Sequence, residues 1–349
     1  MPRQHKANIS DVAKYAGVSV GTVSNALNHP KRVRDSLKKS VMKAIEELDY
    51  YPDPRGLALS RGTTSLIGAI LFDISNPFFS EICYLLERKF RTHGKSLLVL
   101  STDQDVENER AAYEQMKRIG VDALIVCSAG QCVDQILELQ KNGMPIVMFA
   151  QRSEHDDIPY VHVDDEQGMS MIARYLIEKR GLSRFCFIKE RKEAIQHKDR
   201  WTGFSNICRS LGIPDSAIRV VWTDTPSLSD GYHVAATEIA KSDKQLPQCF
   251  VCLNDYTAIG VAMAVKDLRA TTKSDIAVTG FDNIRYSSLS VNPITSIQQP
   301  IEEMVTYIVK QIMEAIKNTP SKITSKTFEP HLVIRQSISE RNYHAEAER

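Results

Sequence analysis

No stretch of the 349-residue chain approaches the ~18 consecutive apolar residues of a membrane span. The first ten residues, MPRQHKANIS, contain no apolar run, so no secretory leader is expected. Signatures of nucleotide binding and hydrolysis are missing as well. From residue 64 onward there is no G-x-G-x-x-G after a strand-like run, no P-loop, no G-x-S-x-G and no H-E-x-x-H, and the nine histidines of the chain are dispersed. Those absences argue against an enzyme and give no reason to expect a metal or cofactor. Low-complexity tracts and short-period repeats are also missing. Cysteine is sparse and unpatterned: there are seven, an odd number, and Cys127, Cys186, Cys249 and Cys252 lie inside apolar runs. That fits reduced, buried thiols of a cytoplasmic protein. Cys249 and Cys252 form a CxxC within QCFVCLN. The run reads as a strand, where residues i and i+3 face opposite sides, so the pair is not expected to hold a metal or cycle as a disulfide.

What is present is ordinary globular material, 42% apolar and 25% charged, in a chain long enough for two or three compact units. The net charge of +1 hides an asymmetry. Residues 1–62 carry 11 Lys/Arg against 6 Asp/Glu, leaving the remainder slightly acidic. A small basic head on a larger acidic body suggests a polyanionic partner for the head.

The first 48 residues read as three helices. In NISD (8–11), Asn8 is an N-cap with Asp11 three residues on, like a capping box. Ile9, Val12, Ala13 and Ala16 then share one face, and Gly17 stops the helix. Ser19 caps a second helix over about 20–27, with Val18, Val23 and Leu27 turned to the core. Val33, Leu37, Val41, Ala44, Ile45 and Leu48 form a third apolar stripe, with Asp35 able to cap it. Helix, tight turn, short helix, third helix is a helix-turn-helix, whose second helix lies in the major groove. On that helix Val20, Gly21 and Asn25 are the reading positions. Thr22, Ser24 and Asn28, with the helix-start residues Asn8 and Ser19, complete the candidate DNA contacts. Gly21 brings no side chain, so it is a blank in the code. Next, YYPDPRGLALSRGTT (50–64) offers Asp53 and Pro54 as a helix start, but the helix is too short to stand alone in water.

From residue 65 strand-like runs alternate with amphipathic helices. The runs are LIGAIL (66–71), SLLVLS (96–101), ALIVCS (123–128), IVMFA (146–150), FCFI (185–188), IRVVW (218–222), FVCLN (250–254) and AVTGF (277–281). This alternation predicts parallel sheets in two doubly wound α/β halves. YVHVDD (160–165) reads as a crossing between them, while TSIQQP (295–300), a helix over 301–317 and HLVIRQS (331–337) carry the chain back twice. The expected division is a head at 1–50, a linker at 51–63, a body at 64–340 and a frayed tail at 341–349. Within the body the first half takes 64–163 with 295–327, and the second takes 164–294 with 328–340. Open α/β sheets bind ligands beyond the carboxyl ends of their strands. The residues there are Phe78 and Phe79, Gln151 and Arg152, Asn254 and Asp255, and Asp282, with Arg200 of DRWTGF opening a helix of the second half. Asp255 reads rather as a tie for a loop or helix start.

The head, the linker and then SNPFF (75–79), VDALIV (121–126), VDDEQG (163–168), NDYTAIG (254–260), GFDN (280–283) and TSIQQP resemble, in order, the bacterial lac/gal repressor family. The resemblance implies a periplasmic-binding-protein-like body with a small-molecule effector between its halves. It also implies a homodimer, with a tetramer not excluded, whose heads read a near-palindromic double-stranded operator and which has no membrane partner. By the same frame Leu59 is the leucine that wedges into the minor groove from a hinge helix. Gly56 and Leu57 depart from the family's alanine–arginine pair there. Arg200 and Asp282 match the family's effector-holding arginine and aspartate, and Gln196 and Asp164 fall at further cleft or hinge positions. Ala194, Gln196 and Pro226 are atypical and argue against a purine or simple galactoside. The alternative is a regulator of the same family controlled by a partner protein or with a vestigial effector cleft.

Overall fold

In the computed structural model, the described residues are 7–51, 63–130, 132–192, 194–241, 246–272, 275–290, 292–317 and 322–338. The chain divides into two units, Met1–Leu66 with Gly120–Asp122, and Ile67–Ile119 with Ala123–Arg349.

The small unit begins with α1 (Ile9–Ala16), α2 (Val20–Asn28) and α3 (Asp35–Glu47). Asn8 and Asp11 form a full capping box: the Asn8 Oδ1 accepts from Ser10 and Asp11 N–H, and the Asp11 carboxylate accepts from Asn8 N–H at 2.9 Å. Gly17 ends α1 at φ +68°, a left-handed value that costs a residue with a Cβ and so holds the tight turn. Val12, Ala13, Val23, Ala26, Val41 and Ala44 fill the core. Two expectations need correcting. Leu37 lies on the exposed side of α3, because Val41 and Ala44 already meet the other helices. Asp35 does not cap: it is the first helical residue, and the cap position is Arg34, with no side-chain hydrogen bond.

The large unit carries two parallel sheets. The first has six strands, ordered β11–β5–β4–β3–β1–β2, from β1 (Leu66–Leu71), β2 (Ser96–Ser101), β3 (Ala123–Val126), β4 (Ile146–Phe149), β5 (Tyr160–Val163) and β11 (Lys326–Phe328). The second is β7–β6–β8–β9, from β6 (Phe185–Glu190), β7 (Ile218–Thr223), β8 (Cys249–Cys252) and β9 (Ala277–Thr279). Helices α4 (Pro77–Arg91), α5 (Val106–Ile119), α6 (Val133–Lys141), α7 (Asp165–Arg174), α8 (Ile195–Ser210), α9 (Leu228–Ala240), α10 (Asp255–Thr272) and α11 (Ile301–Lys317) make the crossovers. Each is amphipathic enough to cover a sheet face, as βαβ units require. Along β8 the faces alternate: Cys249 and Val251 join one core of the second half, Phe250 and Cys252 the other. The CxxC thiols therefore lie on opposite faces of the sheet, as a strand dictates.

Two details of the crossings differ from the sequence reading. β10 (Ser296–Gln298) pairs antiparallel with β12 (His331–Val333), and Ile297 sits in the core of the second half, so residues 296–298 stay with that half. The chain returns to the first core only with α11, through Met304, Val305 and Ile308. The edge strand β11, parallel to β5, was not anticipated: three residues beginning with a lysine give no periodicity to read.

Candidate functional site

On the head, Val20, Gly21 and Asn25 are exposed along one face of α2, while Val23 and Ala26 are buried on the other. Ser19 caps the helix by accepting from Thr22 N–H at 3.1 Å, and its Oγ lies 2.9 Å from the Thr22 hydroxyl. Asn28 Nδ2 donates to Ser24 Oγ at 3.4 Å. The helix is thus fixed from behind and at its start, and it presents small, mostly uncharged groups outward. A Cβ at Gly21 would meet only Ser19 Oγ, at 3.7 Å, so packing does not require the glycine. Leu59, with Gly56 and Leu57, lies outside the described residues, as do the rest of 52–62 and the tail at 341–349.

In the body, the carboxyl ends of the strands of both sheets converge on one cavity of about 40 Å³. The first half contributes Phe72, Asn76, Phe78, Phe79, Gln104 and Ala150. From the second half come Glu190, Gln196, His197, Arg200, Pro226, Asn254 and Asp282. Six of the candidates named from sequence therefore meet here: Phe78, Phe79, Gln196, Arg200, Asn254 and Asp282. The volume accommodates a water or two, so a larger ligand enters only if the halves part. Three lining residues that are not glycine hold positive φ: Gln104 (53°), Ala150 (57°) and Asp282 (101°). Backbone strain of about 1–3 kcal/mol each at one place is the mark of a site whose side chains are aimed rather than merely packed.

Arg200 is the centre of the second-half wall. It sits in the second turn of α8 rather than at its start. Its Nε donates to Asp165 Oδ1 at 2.7 Å, Nη1 to the Leu253 carbonyl, and Nη2 reaches Asp282 Oδ1 at 3.5 Å. The guanidinium stacks 3.6 Å over the Phe281 ring. Burial works against its charge, but Asp165 and Asp282 outweigh that and raise its pKa. The close approach of α7 and α8 that permits the Asp165 contact depends on Gly203, where a Cβ would stand 2.1 Å from the Glu166 carbonyl oxygen. Asp282 also accepts from Gln299 Nε2 at 2.7 Å, and burial pushes its carboxyl up to about 8 despite Arg200.

Glu190, at the end of β6, is buried as well. Its Oε1 accepts from Asn254 Nδ2 at 2.9 Å, while Oε2 has Gln104 Nε2 at 3.5 Å and His197 Nδ1 at 3.6 Å. Burial pushes its carboxyl up to about 7. Burial, and then the charge of Arg200, push His197 down to about 3, so its imidazole is neutral.

Four residues named from sequence stand outside this cavity. Asp164 is committed as the N-cap of α7, accepting from Gln167 N–H at 2.8 Å; the carboxylate that reaches Arg200 is its neighbour Asp165. Arg152 makes a two-pronged ion pair with Asp199, at 2.7 and 2.9 Å, that joins the two halves beside the cavity and raises the arginine's pKa. Gln151 is buried and donates to the Ser128 carbonyl at 2.9 Å. Asp255 ties loops, accepting from Ile284 N–H and from the Ser287 and Ser296 hydroxyls. Sequence reasoning missed Glu190 because the strand reading stopped at Ile188. Carrying β6 two residues further places Glu190 at the carboxyl end where ligands bind. Gln104 and His197 left no signal, since only the closure of the two halves brings them together.

Comparison with known proteins agrees with this architecture. Residues 8–53 match the profile described as bacterial regulatory proteins, lacI family. Residues 64–339 match periplasmic binding proteins and sugar binding domain of LacI family. The chain is 30% identical over 342 residues to the HTH-type transcriptional repressor PurR of Pasteurella multocida, covering 96% of this chain and 99% of that one. It is 28% identical over 340 residues to the HTH-type transcriptional regulator DegA of Bacillus subtilis, covering 97% and 99%. Among solved structures, the lac repressor dimer bound to operator and the anti-inducer ONPF superposes with a TM-score of 0.79 at 22% identity, over 95% of this chain and 99% of that one. A ribose-bound regulator from Enterococcus faecium gives 0.69 at 23% identity, over 78% and 98%.

Proposed function

The chain belongs to the LacI family as a DNA-binding transcriptional regulator with the family's sugar-binding domain, not an enzyme; on that premise we propose that it is a repressor that binds a near-palindromic operator as a dimer and is controlled by a small-molecule effector in the body cleft. The division of labour is a reading head (1–50), a linker (51–63) and an effector and dimerisation body (64–340), working in the cytoplasm. On the head, Val20 and Asn25 read base edges; Thr22, Ser24 and Asn28, with Asn8 and Ser19, contact the backbone. Leu59 wedges into the minor groove. In the cleft, Arg200, Asp282, Gln196, Asn254, Phe78 and Phe79 receive the effector, a sugar or related metabolite. Arg152 acts instead as a clasp through Asp199.

The observation that carries the reading is the strained, buried polar cavity at the carboxyl ends of both sheets, in a chain that also presents a capped, one-sided reading helix. An effector that binds the parted and closed forms unequally shifts the balance between them, and with it DNA affinity. The test is in vitro operator selection with the full-length protein, followed by titration of the selected site at two salt concentrations. The expected outcome is a two-fold symmetric site whose affinity falls steeply with salt as phosphate contacts release counterions. An asymmetric or salt-indifferent site would refute the reading. Leu59→Ala should weaken binding to that site while leaving effector affinity unchanged; unaltered operator affinity removes the wedge assignment.

A further inference from the structure

We propose that the effector of this cleft carries a protonated amine, and that the buried carboxylate of Glu190 is its partner. The inference rests on the reading of the cleft as an effector site and specifies the class of ligand.

The first argument is charge. Among the described residues lining the cavity, the charged types are Glu190, Asp282 and Arg200, and His197 is neutral. Arg200 is already paired with Asp165 and Asp282 and stacked on Phe281. Its charge is therefore balanced within the protein, and Glu190 is the lining carboxyl, among the described residues, that has no cation paired with it. The lysines nearest in sequence are engaged elsewhere: Lys192 Nζ donates to the Asp103 carbonyl at 2.9 Å, and Lys189 lies 4.8 Å over the Trp201 ring. A carboxylate only 3% exposed and without a cation at hydrogen-bond distance is costly to ionise. This is why Glu190 is pushed up to about 7. An ammonium group at that spot supplies the missing counter-charge.

The second argument is geometry. Oε1 of Glu190 is fixed by Asn254, whereas Oε2 has a long 3.5 Å hydrogen bond from Gln104, which belongs to the opposite half, and the neutral His197 ring at 3.6 Å. When the halves part, Gln104 leaves and Oε2 is open to another donor. Gln196 Oε1 and His197 Nδ1 line the same cavity, on residues more than nine-tenths buried, and neither atom has a hydrogen-bond partner. Gln196 Oε1 is a further acceptor for N–H groups. The facing wall is aromatic: Phe78 and Phe79 pack edge to face at 5.3 Å, and Phe79 likewise against Phe72 at 5.9 Å. A buried carboxylate and a carbonyl oxygen opposite aromatic rings is the environment a small organic cation prefers.

Calorimetry on the full-length protein tests this with matched probes: glucosamine, galactosamine and mannosamine against their N-acetyl derivatives and parent hexoses. The amines should bind about ten-fold or more tightly than their neutral counterparts. Their binding should release protons at pH 6, where Glu190 must ionise to receive the amine, and take up protons at pH 8.5, where the free amino sugar is mostly neutral and must gain the proton it carries when bound, both read from buffers of different ionisation enthalpy. Glu190→Gln should bring the amine-to-neutral ratio close to one. Neutral sugars binding as well as the amines, or a ratio unchanged in Glu190→Gln, would overturn the inference while leaving the effector site standing. If no sugar of either kind binds, the effector reading itself falls, and the inference with it.

Discussion

Replacing Arg200 by methionine removes the group around which the second-half wall is built, while keeping much of its apolar stem. Two carboxylates lie on the lost guanidinium, Asp165 at 2.7 Å and Asp282 at 3.5 Å, and both are nearly inaccessible to water. The Leu253 carbonyl loses its donor as well. Breaking a buried ion pair from one side costs about 3–5 kcal/mol, because the remaining charge is left uncompensated. We expect a loss in that range, read as a lower urea midpoint at unchanged slope. Adding Asp165→Asn should restore part of the loss, since the two changes share one network and are not additive. A loss under about 1 kcal/mol, the size of an exposed pair, would refute the assignment of Arg200 as the buried hub.

Further predictions concern other parts of the molecule. Gly203→Ala should destabilise the body by about 1–3 kcal/mol even though alanine favours helices, because its Cβ would meet the Glu166 carbonyl oxygen at 2.1 Å and force α7 from α8; thermal unfolding checks it. Glu190 has a folded pKa of about 7, above its usual 4.5, so its contribution to stability is present at low pH and lost as the pH rises through 7. Glu190→Gln should accordingly raise stability at pH 8 relative to pH 5, by of order 1–3 kcal/mol, in paired urea titrations. Gly21→Ala should firm up α2 by about 0.5–1 kcal/mol, since a Cβ there meets only ordinary contact. The selected operator should be looser at the base pair facing Gly21 than at the one facing Asn25, and a consensus equally sharp at both would contradict the blank-position reading.

The clasp clarifies what the closed cleft means. Arg152–Asp199, Lys192 with the Asp103 carbonyl, and Gln104–Glu190 all join the first half to the second. The closed form thus has contacts of its own, independent of any ligand. An effector shifts the equilibrium only by the difference between what it adds to the closed form and what it adds to the open one. Arg152, named from its place after β4, lies beside the cavity rather than lining it. Its partner, forty-seven residues on in α8, could not be read from that place.

What the sequence determined by itself is local. The Asn8–Asp11 capping box, the Gly17 stop, the Ser19 cap and strands such as Leu66–Leu71 and Ser96–Ser101 follow from groups within a few residues of one another. Periodicity and capping act at that range, so they are written in adjacent letters. Strand ends and the family frame both pointed to Arg200 and Asp282, which the fold brings within 3.5 Å of each other. Tertiary structure decided the rest. It chose Asp165 over Asp164 as the partner of Arg200, because the first side chain of α7 faces α8 while its neighbour is held by the cap. The same closure placed Ser296–Gln298 with the second half by pairing them to His331–Val333, and gathered Gln104, Glu190 and His197 around one cavity. Each depends on contacts between residues tens of positions apart, and the desolvation that gives Glu190 its unusual proton affinity comes from burial among them.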